Sequence, residues 1–140
     1  MNRTITKKYL DELTYRVVGC AIEVHKHLGP ALLESVYQKC FLHELSINGI
    51  AYETEISAAL IYKGFALDSN LRLDVLVEDV LCVELKAQQS LLPIHIAITL
   101  SYMEMLQKPK GLLINFQCEN IMKAGQKSLV NKLFSLLPDQ

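Results

Sequence analysis

The stretch Leu71–Lys86, LRLDVLVEDVLCVELK, sets three charged side chains inside what otherwise reads as two apolar strands. Asp74 belongs to the first strand, and Glu84 and Lys86 belong to the second. A strand turns successive side chains to opposite faces, so Glu84 and Lys86 point one way while Leu81, Val83 and Leu85 point the other. The acidic pair Glu78-Asp79 between the runs reads as a turn, which makes the two strands a hairpin. In the register adopted here Asp74 lies opposite Glu84 and Arg72 opposite Lys86. The same register gathers Leu73, Val75 and Val77 with Leu81, Val83 and Leu85 on one wholly apolar face. It requires an odd loop or a bulge, and Val80 is ill suited to positive φ, so the turn type stays open.

This arrangement suits metal-assisted hydrolysis of a phosphodiester. Two carboxylates on one rigid face can hold Mg²⁺ through oxygen and leave the remaining positions to water and phosphate, while a neighbouring ammonium orients the attacking water. The other account is a surface ion pair on a half-solvated sheet. Charges set among valine and leucine must be paired, coordinated or functional, and that setting favours the first account.

The 140 residues, 51% hydrophobic and 21% charged, are expected to fold as a single domain spanning 1–140 with a sizeable core. A mean hydropathy of +0.21 is high for so small a chain and suggests apolar surface covered by a second copy, a homodimer. With 14 basic and 15 acidic residues, the chain lacks the overall positive charge of a nonspecific nucleic-acid binder, so any such contact is local. Cys20, Cys40, Cys82 and Cys118 stand far apart without zinc spacing and read as buried thiols in a reducing compartment. No apolar run is long enough to span a bilayer, and the expectation is a cytoplasmic protein without membrane contact.

From Tyr9 to Leu28 apolar residues recur at threes and fours, predicting an amphipathic helix ended by Gly29 and Pro30. Pro30 suits the first turn of a second helix whose buried stripe is Leu32, Leu33, Val36, Tyr37, Cys40, Phe41 and Leu45, closed by Asn48 and Gly49. Glu34, beside Tyr37 and Phe41, either points inward or is an exposed first-turn acid favoured by the helix dipole. A first strand follows over Ile50–Ile61, then a loop over Tyr62–Asn70 around Gly64, then the hairpin. Pro93 opens a third helix to Leu106, apolar on nearly all sides, as for a helix enclosed between a sheet and something else. Its His95 and Tyr102 share a face and read first as a core polar pair, second as residues lining the site together with Arg72. Gly111–Phe116, GLLINF, reads as a buried strand parallel to its neighbour, and Ala124–Leu137 as a closing helix. No repeat, low-complexity tract, glycine-rich phosphate loop or serine-histidine-aspartate set appears.

Four segments, LTYRVVGCAIEVHKHLGPALLESVYQ, LRLDVLVEDVLCVELKA, LLPIHIAITLSYMEML and GLLINF, agree in order and spacing with a known pattern. In them the chain resembles the GxxExxY family of the PD-(D/E)XK nuclease-like superfamily. The resemblance implies an α/β restriction-endonuclease-like fold, an αβββαβ core with a mixed four-stranded sheet flanked by helices and an extra N-terminal helix. It implies Mg²⁺ or Mn²⁺ as cofactor, with Asp74, Glu84 and the helix acid Glu34 as ligands, and Glu34, Asp74, Glu84 and Lys86 as the catalytic set. Two positions depart from the pattern. Ala31 replaces the first glycine, a mild change if the position is helical, and Ile98 replaces a third-helix glutamine expected to touch the site or substrate.

Two readings of function follow. One is a metal-dependent nuclease that hydrolyses phosphodiester bonds in nucleic acid. The other is a catalytically silent module that keeps the fold and binds nucleic acid or protein, a reading favoured by the neutral net charge and Ile98. A third, a small structural or assembly protein, rests on the apolar content alone.

Overall fold

The computed structural model describes residues 4–67 and 71–140; Asp68–Asn70 of the expected loop lie outside the described residues. Helix α1 spans Lys7–Leu28, started by Thr6, whose hydroxyl accepts the Tyr9 N–H at 3.0 Å. It buries Leu10, Leu13, Val17, Ala21 and Val24 and ends at Gly29, whose φ of 67° is open to glycine at no steric cost.

The second helix starts later than Pro30. Ala31 stands at φ 83°, a left-handed conformation that costs an alanine about 1–2 kcal/mol. The Tyr37 hydroxyl donates to the Gly29 carbonyl and accepts the Leu32 N–H at 3.2 Å, tying the linker down in that non-helical path. Helix α2 therefore spans Glu34–Ile47 and buries Tyr37, Phe41 and Leu45, whereas Leu32 and Leu33 are exposed rather than part of its stripe. Asn48 and Gly49 close it as expected.

The expected first strand breaks after six residues. β1 is Tyr52–Ser57, and β2, Leu60–Tyr62, pairs antiparallel with β3, Phe65–Leu67, in a separate hairpin where a loop was expected. β4 is Arg72–Val77, β5 Leu81–Lys86, α3 Pro93–Leu106 and β6 Lys110–Asn115, the last parallel to β5 as expected. The closing helix does not form. α4, Ile121–Ala124, and α5, Lys132–Ser135, are single turns flanking a strand, β7, Gln126–Val130. Gly125 gives the reason: a Cβ there would lie 2.6 Å from the Cys118 sulfur and 2.7 Å from the Asn115 carbonyl. The Asn115 N–H bonds the Gly125 carbonyl at 2.8 Å, and the chain leaves this close approach paired to β6. The mixed sheet thus has five strands, in the order β1-β4-β5-β6-β7, and β6 is buried throughout rather than an edge.

The β4–β5 register is the one chosen from sequence, with Val75 opposite Val83, Leu76 opposite Cys82 and Val77 opposite Leu81. Glu78 and Asp79, at φ 49° and 59°, take the left-handed positions, and Val80 is spared because its N–H bonds the Val77 carbonyl at 3.0 Å. One core lies beneath α1 and α2, where Tyr37, Phe41 and Phe116 meet Val75, Val77, Leu81, Val83 and Leu85. The other lies beneath α3 and contains Leu76, Cys82, Tyr102 and Met103. Leu73 was expected beside Val75 and Val77, yet it packs in this second core. The change of side occurs at Asp74 and at its β1 neighbour Glu55, a non-glycine residue at φ 53° flanked by the pairs Thr54–Val75 and Ile56–Leu73. α3 is covered on its sheet side only, leaving Ile94 and Ile98 exposed instead of enclosed. Among the described residues no helix is long and apolar enough to cross a membrane.

Candidate active site

Strands β4 and β5 part where β5 approaches its C-terminal end, the end at which ligand sites of α/β sheets form. The ladder stops at Val75–Val83, and side chains make the next rung. The Asp74 N–H donates to Glu84 Oε1 at 2.9 Å, and the Leu85 N–H donates to Asp74 Oδ2 at 2.9 Å. Each carboxylate so answers a backbone donor of the opposite strand, and both residues are pinned without a salt bridge. The second oxygen of each accepts no hydrogen bond from any described residue.

Glu84 is 6% exposed. Its carboxyl is pushed up to about 7 by burial and then by the Asp74 charge, against the opposing pull of the Asp74 amide and Lys86. Asp74 is raised as well, by burial first, opposed by the Leu85 amide bond, with the charges of Glu34 and Glu55 adding to the rise. The site concentrates negative charge in a poorly hydrated place, which is the electrostatic condition a bound cation relieves.

Lys86 follows Glu84 by two residues on β5 and is half-buried, paired with Asn115 of β6. The ion pairs of the described residues involve Lys7, Lys26, His27, Lys108 and Lys110 and not Lys86, whose charge nonetheless favours the ionised forms of Asp74 and Glu84. The strand exit beyond it is fixed by Asn115, which accepts the Gln88 and Gln117 N–H groups at 3.1 and 3.3 Å and donates to the Gln88 carbonyl at 2.8 Å. Glu34 is the first residue of α2 and exposed. Its placement rests on Tyr37, whose ring stacks on Phe116 with centroids 4.6 Å apart. Its charge reaches both Asp74 and Glu84. Among the described residues no three His, Cys, Asp or Glu side chains form a group able to hold one metal ion.

The remaining expected residues divide. Tyr102, 8% exposed, packs in the second core, where its hydroxyl is raised by burial and then by Glu84, against a backbone hydrogen bond from Arg72. His95 does not pair with it. Its Nδ1 accepts the Leu92 N–H at 2.9 Å, capping α3, and the Gln88 amide lies 3.1 Å from its Nε2. Arg72 is not opposite Lys86, because the β4–β5 ladder has ended; it pairs with Ser57 of β1 and is exposed. Sequence reading passed over Glu55 and Asn115. A polar residue at the end of the apolar run GLLIN marks Asn115, whereas nothing local marks Glu55, whose role depends on the β1 pairing.

Burial pushes the Cys20 thiol up to about 11 and Cys82 to about 12, which disfavours the nucleophilic thiolate at both. A cleft of about 720 Å³ lies at the turn end of β4 and β5, lined by Glu78, Asp79, Lys108 and Leu137, and holds none of Glu34, Asp74 and Glu84. Asp74 and Glu84 are the acids that the fold ties to each other's strands. No curated protein and no solved structure matches the chain. The family model of the PD-(D/E)XK nuclease superfamily matches residues 11–129, from within α1 to within β7 and across every element of the site. The chain belongs to the PD-(D/E)XK nuclease superfamily.

Proposed function

We propose that this protein is a divalent-metal-dependent nuclease of the GxxExxY type, hydrolysing phosphodiester bonds at the Asp74–Glu84 pair. The observation that carries the reading is the reciprocal bonding of the two acids: each spends one oxygen on a backbone amide of the opposite strand, and its other oxygen accepts no hydrogen bond from the described residues. Two carboxylate oxygens with room for water and phosphate match the way Mg²⁺ is held, through one or two carboxylates and otherwise by waters and substrate, and Mn²⁺ accepts the same oxygens. A cation there supplies Lewis acidity toward water and phosphate. Asp74 and Glu84 hold it, and their raised proton affinity means that binding is accompanied by proton release. Lys86, free of an ion-pair partner among the described residues, positions the attacking water and answers charge on the phosphate. Glu34 acts through its field, favouring a cation and orienting water at the mouth of the site.

A silent binding module is the second reading, supported by Ile98, an exposed apolar side chain where resembling sequences carry glutamine. Calorimetric titration with Mn²⁺, followed by incubation with single- and double-stranded DNA and RNA, separates the two. The nuclease reading expects metal binding that Asp74→Asn removes and cleavage that requires the metal. Binding without cleavage of any of the four substrates selects the module.

A further inference from the structure

The β2–β3 hairpin grows directly from the strand pair that carries Asp74. The Ala58 N–H bonds the Leu71 carbonyl at 3.0 Å, continuing the β1–β4 ladder one step past Ser57–Arg72 before the chain turns outward. Within the hairpin Leu60 pairs with Leu67 and Tyr62 with Phe65, which puts all four side chains on one face. That face is uncovered: Tyr62 and Phe65 are 63% and 62% exposed, Leu60 and Leu67 36% and 42%. A lone two-stranded hairpin is marginal in water, and four large apolar side chains on one of its faces call for an occupant.

Area argues against a second copy of the chain. The exposed parts of the four side chains amount to roughly 400 Å² per copy. Two copies face to face would bury roughly 800 Å², short of the ~1,200 Å² at which stable specific interfaces begin. The chemistry suits a smaller, flat partner. Tyr62 and Phe65 stand directly opposite each other at the tip, and the Lys63 ammonium lies 5.4 Å from the Tyr62 ring centroid. Lys63 is the one charge in segment 58–67, and the exposed Arg72 sits at the base of the arm. Aromatic rings beside a cation are elements with which proteins hold bases and phosphates of an unpaired strand. Tyr62 lies within about 25 Å of chain from Glu55 at the acid site, a few nucleotides of extended strand.

We propose that the β2–β3 hairpin is an aromatic platform that stacks unpaired bases of single-stranded nucleic acid and guides that strand toward the Asp74–Glu84 pair. The inference rests on the nuclease reading for its direction, but its test does not depend on cleavage. A fluorescent oligothymidylate of about 15 nucleotides is titrated with the full chain in EDTA, beside a duplex and an abasic strand of equal length. The wild type should bind the oligothymidylate at least tenfold tighter than the abasic strand. Tyr62→Ala/Phe65→Ala should erase that difference, and Tyr62→Trp should preserve it. Equal wild-type affinity for the base-bearing and abasic strands overturns the proposal, a result that needs no variant to fold. So does an unchanged oligothymidylate affinity in the double variant, including the case in which sedimentation shows a wild-type dimer that the variant loses, which would assign the face to a second copy. Because binding is read without metal, a wild type that fails to cleave sinks the nuclease reading and leaves this result standing.

Discussion

Replacing Glu84 by glutamine should stabilise the metal-free protein, by an amount that grows as pH rises from 4.5 and is complete above about 7. The glutamine carbonyl still accepts the Asp74 N–H, so the rung that joins β4 to β5 persists while the charge disappears. The Glu84 carboxyl sits at about 7 against an ordinary 4.5, raised first by burial and next by Asp74. A carboxyl with a raised folded pKa binds its proton more tightly in the folded than in the unfolded chain. The wild type is therefore favoured at low pH and loses stability as pH rises from 4.5 through 7, after which the loss is complete. At 1.36 kcal/mol per unit the full loss is about 3 kcal/mol, or a melting shift on the order of 10 °C for a chain of this size. Thermal melts of wild type and Glu84→Gln in EDTA between pH 4 and 9 should lie closest at the acid end and diverge to this extent at the alkaline end. A Glu84→Gln protein that is less stable than wild type at pH 8.5 would refute the reasoning, because it would make the charge a structural asset rather than a cost.

Ala31→Gly should raise stability by about 1 kcal/mol, since it removes the left-handed strain of an alanine at φ 83°; denaturant titration checks the sign. Tyr37→Phe should cost about 1–3 kcal/mol in the same assay, because the Leu32 N–H and Gly29 carbonyl lose their hydroxyl partner. Gly125→Ala should cost about 1–3 kcal/mol, because the new Cβ meets the Asn115 carbonyl and Ile121 backbone, which cannot step aside as a side chain would.

The parts of the fold legible in sequence are those whose local pattern and tertiary fate agree. The α1 stripe, the apolar run of β6, the alternation of β5 and that of β4 from Val75 onward each state a burial pattern that the packing keeps, whereas Leu73 changes sides. The turn is half legible: Glu78-Asp79 marks its place, whereas two consecutive left-handed acids are an uncommon conformation that their sequence does not announce. β7 was not legible, because Leu129, Leu133 and Leu136 mimic a helical period while the deciding fact is the contact of Gly125 with Cys118 and Asn115 far back in the chain. The late start of α2 was missed for a similar reason. Pro30 is a fair helix opener locally, and the Tyr37 hydroxyl reaches back to forbid it. At the site, Asp74 and Glu84 stood out as charges among aliphatics, and their register followed from the apolar face. Glu55 and the opening of the ladder at Asp74 arise from pairing across β1, β4 and β5 and leave no mark in any one segment.

The central claim, that the acid pair and Lys86 form a working nuclease centre, is tested most directly by cleavage with wild type and Lys86→Ala at equal Mn²⁺ occupancy, set by calorimetry beforehand. The account predicts metal-dependent cleavage by wild type and none by Lys86→Ala, with metal affinity retained or increased because the two acids remain and have lost a competing cation. Equal cleavage rates for the two proteins would contradict the role of Lys86, and a wild type that binds Mn²⁺ yet cleaves no nucleic acid would contradict the claim itself.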